Sequence, residues 1–164
     1  MFVLGIDPGL SVTGYGIVEA GRPLRAVVAG VVRTNPEAPI SDRLAELFDD
    51  LSAVIAEFRP EEAAIEEVFV NRNLQTAMSV GRASGVAILA AARAGLRVTE
   101  YTPSAVKLAV TGYGDAAKEQ VQTMVARRLG LPTAPSPADA ADALAVALCH
   151  LQATGLRGLI GGRS

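Results

Sequence analysis

Short apolar runs open the chain, and longer stretches with three-and-four spacing follow them. Val3-Leu4-Gly5-Ile6-Asp7 is apolar until its last residue, as expected of a buried strand that ends in an acid. Gly9-Leu10-Ser11 turns the chain into Val12 to Val18, which alternates as a second strand, and Gly21-Arg22-Pro23 turns it into a third from Leu24 to Arg33. Turns this short join antiparallel neighbours, so the three strands form a meander. Leu44, Leu47, Phe48, Leu51, Val54, Ile55 and Phe58 then recur at three and four, predicting a helix. Ser41 is its expected N-cap, Asp42 lies in its first turn, and Arg59-Pro60 ends it.

Ala63 to Glu66 reads as a short fourth strand finishing in acid, and the polar loop Val68 to Asn73 leads to an alanine-rich helix from Leu74 to Arg93. Gly95 is its natural C′ residue. A fifth strand spans Leu96 to Tyr101. Thr102-Pro103 opens a short helix, with threonine capping and proline at the first helical position. Asp115 is the expected cap of a further helix ending near Leu129-Gly130. Ser136 and Pro137 are expected to cap and open a last helix running to about Ala153.

This order implies an α/β domain: a five-stranded mixed sheet, three antiparallel strands then two parallel, with helices on both faces. Residues 1–154 are expected to form a single domain, and the glycine-rich residues 155–164 a flexible tail. Sites in such sheets lie beyond the carboxyl ends of strands, where both Asp7 and Glu66 stand.

Half of the 164 residues are apolar but only 4% are aromatic, so Leu, Val, Ile and Ala must supply the core. A lone Cys149 in an apolar helical stretch reads as a buried structural thiol and fits a reducing cytoplasm. No signal-like or membrane-length apolar run is visible, so a cytoplasmic protein without membrane association is expected. The net charge of −2 is unevenly spread: residues 1–67 hold twelve acids and five bases, residues 68–128 eight bases and three acids. A phosphate-binding face would leave such an asymmetry, as would solvated charges that happen to cluster.

Four carboxylates carry the chemistry: Asp7, Glu66, Asp139 and Asp142. The last two are three apart and so share a helical face, among alanines small enough for close packing. Two unit charges at about 4 Å repel by roughly 4 kcal/mol at a protein-surface dielectric, and a divalent cation is the simplest remedy. Mg²⁺ takes such sparse carboxylate sites, completed by water and phosphate. Two ions about 4 Å apart would activate water and stabilise a leaving 3′-oxygen, with Asp7 on the central strand bridging them. Each acid has a plainer explanation. Asp7 precedes Pro-Gly and could make a turn contact; Glu67 rivals Glu66; Asp139 suits a helix N-terminus. Asp142 is hardest to explain otherwise. His150, eight positions beyond Asp142, is expected to pack or face solvent rather than catalyse.

Gly5-Ile6-Asp7-Pro8-Gly9, Thr13-Gly14-Tyr15-Gly16, Ala64-Ile65-Glu66-Glu67-Val68-Phe69 and Asp139-Ala140-Ala141-Asp142-Ala143-Leu144-Ala145 together resemble the RuvC family of Holliday-junction resolvases, of the RNase H-like superfamily. The similarity runs from about Phe2 to Leu151. It implies an RNase H-like fold and a homodimeric endodeoxyribonuclease acting in DNA recombination and repair. Such an enzyme nicks two opposed strands of a four-way junction symmetrically and leaves ligatable 5′-phosphate and 3′-hydroxyl ends. By motif position Asp7, Glu66, Asp139 and Asp142 would be the Mg²⁺ or Mn²⁺ ligands, two ions per site, with Glu66 preferred to Glu67. Some relatives carry histidine where this chain has Asp139. Lys107 and Lys118 match lysines that the family uses near DNA, and they are the basic middle segment's two lysines. Phe69 would stack on an unpaired base, its alternative being to anchor the loop in the core. Arg72 and Arg82 are further candidate phosphate contacts. The resemblance also suggests work beside the branch-migration motor RuvAB. A sequence pI near 5.4 departs from more basic relatives and predicts weak binding to ordinary duplex, steeply weakened by salt.

Three rivals remain at this level. Asp-x-Gly followed by Thr-Gly also resembles the first phosphate loop of actin-like ATPases and sugar kinases, which need a second half and an adenosine loop. A small RNase H-like nuclease acting on RNA would use the same acids. A non-catalytic junction-binding module would use the basic segment alone, and an intact acidic quartet counts against it.

Overall fold

A computed structural model describes residues 1–68 and 73–161, with side chains through residue 155. The elements are β1 (Phe2–Asp7), β2 (Val12–Glu19), β3 (Arg25–Arg33), α1 (Ile40–Phe58), β4 (Glu62–Glu66), α2 (Leu74–Arg93), β5 (Arg97–Tyr101), α3 (Pro103–Thr111), α4 (Lys118–Arg128) and α5 (Ala138–Gly161). They form one five-stranded sheet in the order β3-β2-β1-β4-β5. β1, β2 and β3 pair antiparallel, whereas β4 runs parallel to β1 and β5 parallel to β4. This is the expected mixed sheet, with β1 at its centre.

Alternation along β1 divides the core in two. Leu4 and Ile6 point to the side covered by α1 and α2, where Ala63, Ile65, Leu47, Leu51, Ala83 and Ala87 complete a cluster. Val3 points to the other side, into a cluster with Ala64 of β4, Val106 of α3, Val125 of α4 and Leu144 and Leu148 of α5. Gly5 and Asp7 share that second face. A Cβ at Gly5 would fall on the Ala143 carbonyl oxygen, one at Gly14 on that of Asp139, and one at Gly16 within 2.8 Å of the Leu144 side chain. Strands β1 and β2 thus lack side chains where α5 crosses them, and the helix backbone lies directly on the sheet.

Several element ends differ from the pattern's expectation. The Pro39 carbonyl accepts from both Asp42 N–H and Arg43 N–H at 3.1 Å, so α1 begins before Ser41, which lies inside the helix and caps nothing. Asp115 is likewise not a cap: α4 starts at Lys118, after Ala117, with no side-chain cap bond. Pro137 precedes α5 rather than opening it, because its carbonyl accepts from the Ala140 N–H at 3.0 Å and the helix starts at Ala138. The helix also continues past Ala153 to Gly161. The Thr154 hydroxyl donates to the His150 carbonyl at 2.9 Å, and glycine in a helix costs about 1 kcal/mol relative to alanine without stopping it. By contrast, Thr102 caps α3 as expected, accepting from the Ala105 N–H at 3.1 Å.

Gly5→Ala should lower unfolding free energy by about 1–3 kcal/mol through overpacking against rigid backbone. Gly155→Ala, in open space, should raise it by roughly 0.5–1 kcal/mol. Urea denaturation followed by circular dichroism measures both, and equal effects would contradict the close approach of α5.

Candidate active site and metal centre

Parallel pairing of Ile6 with Ile65 puts the next residues, Asp7 and Glu66, side by side at the carboxyl ends of β1 and β4. Both side chains face α5. Gly14, paired with Asp7 across β2, is the glycine over which Asp139 passes, so the first turns of α5 come down beside the tip of β1. Asp7, Asp139 and Asp142 each present a carboxylate oxygen within 4.8 Å of the others. Glu66 joins from the neighbouring strand and shares a hydrogen bond with Asp7.

The electrostatics are those of crowded, half-buried acids. Burial first, then repulsion from Glu66, Asp142 and Asp139, pushes Asp7 up to about 8. Burial also raises Glu66, offset by its hydrogen bond with Asp7 and by the charges of Lys107 and Lys118. Asp142 is raised by burial and pulled back by Lys118, whose ammonium lies 3.3 Å from its carboxylate. Lys118 is raised in turn, chiefly by Asp142. Without a cation, burial and repulsion favour the protonated form of Asp7. Hard oxygen donors and no sulfur or imidazole suit Mg²⁺ or Mn²⁺.

A groove of about 720 Å³ runs from Asp7, Glu66 and Glu67 past Asn73 and Thr76 at the start of α2. A smaller recess of about 250 Å³ on the other side is lined by Glu66, Asp142, Lys107 and Lys118. Glu67 is exposed, and its N–H donates to the Tyr101 carbonyl at 2.7 Å. The loop after Asp7 is held by Thr13, whose hydroxyl donates to the Gly9 carbonyl at 2.5 Å. Arg43 steadies it further, reaching Thr34 at 2.9 Å and Ser11 at 3.0 Å.

The remaining candidates fall elsewhere. Phe69 and Arg72 lie outside the described residues. Arg82, four residues after Met78, shares the exposed outer face of α2, whereas Thr76, Ala77 and Val80 face the groove. The basic middle segment does not form one face. Arg97 starts β5 at the end opposite Tyr101 and Glu66, leaving Lys107 and Lys118 beside the acids. Cys149 is buried, and burial pushes its thiol up to about 11 against a smaller opposing pull from Arg128. His150 is 2% exposed and packs rather than facing solvent. Its partners Tyr101 and Glu62 are not legible in the sequence because they lie far off in the chain. The one available signal is a polar ring inside the run Ala-Leu-Cys-His-Leu.

Residues 3–150 match the family model described as crossover junction endodeoxyribonuclease RuvC. The chain belongs to the RuvC family. The RuvC protein of Pelotomaculum thermopropionicum is 53% identical over 151 residues, covering 92% of each chain. That of Heliobacterium modesticaldum is 55% identical over 150 residues, covering 91% of this chain and 93% of its own. The structure of Thermus thermophilus RuvC in complex with Holliday junction substrate is 41% identical and superposes with a TM-score of 0.89, covering 95% of this chain and 96% of the other. The sheet and helices are therefore the RNase H-like arrangement of RuvC nucleases. Among the described residues, no helix is long and apolar enough to cross a membrane.

An acid raised on folding binds more protons folded than unfolded, so it lowers stability as pH rises from its ordinary value near 3.8 to its folded value near 8. The metal-free protein should therefore lose melting temperature from about pH 5 to pH 8. Asp7→Asn should remove most of that slope and raise Tm at pH 8, each 1 kcal/mol of relief adding about 2–4 °C. Calorimetry across pH with chelator present checks this; an unchanged slope in Asp7→Asn would show that folding does not raise Asp7.

Proposed function

We propose that this RuvC-family chain resolves four-way DNA junctions, hydrolysing one phosphodiester bond in each of two opposed strands. It acts as a homodimer in the cytoplasm, in recombination and repair, and leaves 5′-phosphate and 3′-hydroxyl ends that a ligase can seal. The observation that carries this reading is the convergence of Asp7, Asp139 and Asp142 with Glu66 at the centre of the sheet. A solvated cluster of like charges gives no reason for folding to bury Asp7 among three other acids.

Asp7, Glu66, Asp139 and Asp142 would hold divalent cations, Mg²⁺ or Mn²⁺. Bound there, two such ions supply an activated water and charge stabilisation of the leaving 3′-oxygen. Asp7 interacts with all three other acids and is the residue best placed to serve both ions. Lys118 offsets part of the burial that raises Asp142, and with Lys107 it would bring positive charge to the scissile phosphate. Asn73 and Thr76 offer the groove neutral donors for backbone oxygens. Phe69 and Arg72, which fall in the sequence between β4 and α2, would complete the proposed DNA contacts, the ring by stacking on a base at the crossover.

The outer face of α2 supports the homodimer. Leu74, Met78 and Leu89 are 68%, 60% and 51% exposed, and no atom lies near where a Cβ would stand at Gly81 or Gly85. A second copy could approach this face closely and bury its apolar residues. Arg82 on the same face would then serve the interface rather than DNA.

Asp7→Asn should abolish cleavage of a labelled four-way junction, a loss of at least about 10³-fold, while junction binding survives. The decisive assay compares junction, linear duplex and RNA–DNA hybrid with Mg²⁺, Mn²⁺ or chelator. Paired symmetric nicks confined to the junction are expected, and cutting of the hybrid instead would move the chain to RNA. Met78→Glu with Leu89→Glu should give a monomer by analytical ultracentrifugation that nicks single strands without pairing the cuts.

A further inference from the structure

His150 is a deeply buried ionisable ring, 2% exposed, that takes no part in the proposed hydrolysis. It lies on α5, two to three turns beyond Asp142 and Asp139, at the other end of the sheet from the acids. Its Nδ1 meets the Tyr101 hydroxyl at 2.8 Å, and its Nε2 pairs with Glu62. A carboxylate can only accept, so Nε2 carries a proton and donates to Glu62. In the neutral ring Nδ1 then accepts from Tyr101, and both ring nitrogens are satisfied. The Tyr101 and His150 rings also meet edge-on, their centroids 5.8 Å apart.

The partners are the informative part. Glu62 is the first residue of β4, and Glu66 of the candidate metal site is its last. Tyr101 ends β5 and pairs with Glu66 in the ladder, while its ring reaches back to His150. One imidazole therefore ties the helix bearing Asp139 and Asp142 to the strand bearing Glu66 and to that strand's neighbour. Elsewhere α5 meets β1 and β2 through close backbone contacts at Gly5 and Gly14 and through apolar packing of Leu144 and Leu148, contacts that carry no hydrogen-bond direction. Asp7, Asp139 and Asp142 bring carboxylate oxygens within 4.8 Å of one another, an approach of like charges that must be held in place by contacts elsewhere on the helix. A rigid helix carries an axial shift at His150 undiminished to Asp142, and metal ligands tolerate shifts of only a few tenths of an ångström.

We propose that His150 is a positioning residue for the metal site: through Glu62 and Tyr101 it fixes the axial register of α5, and so the spacing of Asp139 and Asp142 from Asp7 and Glu66. This rests on the metal-binding reading of those acids.

Calorimetric titration of the DNA-free protein with Mn²⁺ tests it, alongside the Mg²⁺ dependence of junction cleavage. His150→Ala should raise the Mn²⁺ Kd about 10-fold, the lower end of what outer supporting contacts are worth to metal affinity. Tyr101→Phe, which deletes one hydroxyl, should raise it about two- to threefold. His150→Gln, whose amide can still donate to Glu62 and accept from Tyr101, should restore most of the loss. Junction affinity in chelator should not change. A trio that merely stabilised the fold would lower Tm and leave the Mn²⁺ Kd of the folded protein unmoved in all three variants, and that result overturns the proposal. Should His150→Ala not fold, Tyr101→Phe decides it. Failure of the unaltered protein to bind Mn²⁺ would instead remove the metal-site reading itself, together with this inference.

Discussion

Helix α5 rests on bare backbone. Gly5 on β1 and Gly14 and Gly16 on β2 leave no side chain beneath it, and any Cβ there would collide with the helix. Both the core and the candidate site depend on this one close approach. It makes α5 the main cover of one sheet face, with Leu144 and Leu148 reaching into the core around it. It also carries the first turn of the helix to the tip of the central strand, where Asp139 and Asp142 reach Asp7. A helix held off by ordinary side chains would sit about 10 Å from the sheet, like any packed layer, and its acids would be left apart from those on the strands.

The same approach creates the molecule's main internal conflict. Four carboxylates are drawn together in a partly desolvated place, and the core that gathers them is stabilised by apolar packing that takes no account of their charge. The protein's own relief is partial. Burial and repulsion favour a proton on Asp7, and Lys118 sits against Asp142. Both measures can be undone: the proton leaves as pH rises, and the lysine, mostly exposed, can swing toward a phosphate. A site relieved only by reversible means is one that stays open to a cation and a substrate, whereas a permanent buried ion pair would close it.

How much of this is legible in the sequence depends on the range of each interaction. Strands and helices come through because the alternation of β1 and β2 and the three-and-four spacing of α1 are local and repeat. The parallel placement of β1 beside β4 accords with the crossover connection between them, and with it comes the pairing of Asp7 and Glu66. Helix ends are less legible. Ser41 and Asp115 are good capping residues, but the Pro39 carbonyl and the loop before Lys118 close those first turns without them. Charge along the chain misleads for a similar reason: Arg97 and Lys107 are close in sequence yet belong to different ends of the sheet. Arg82 shows how a residue can lie in a basic segment and still face away from the groove.

The trio of Glu62, Tyr101 and His150 is invisible in the sequence for a further reason. None of the three partners is near another in the chain, and each has an ordinary explanation alone: an acid at the start of a strand, a strand-end aromatic, a histidine in an apolar helix. Only the folded arrangement shows that they meet, and that they meet on the elements that hold the acids. Close contact at glycine and the packing of Leu144 and Leu148 bring α5 onto the sheet, but dispersion is non-directional and fixes axial position less sharply than a hydrogen bond does. Hydrogen bonds to a buried ring are directional and lose most of their strength when bent. The two kinds of contact therefore divide the work along one helix. Packing at its centre sets the distance from the sheet, and polar contacts at its far end set the register in which its acids face the strands.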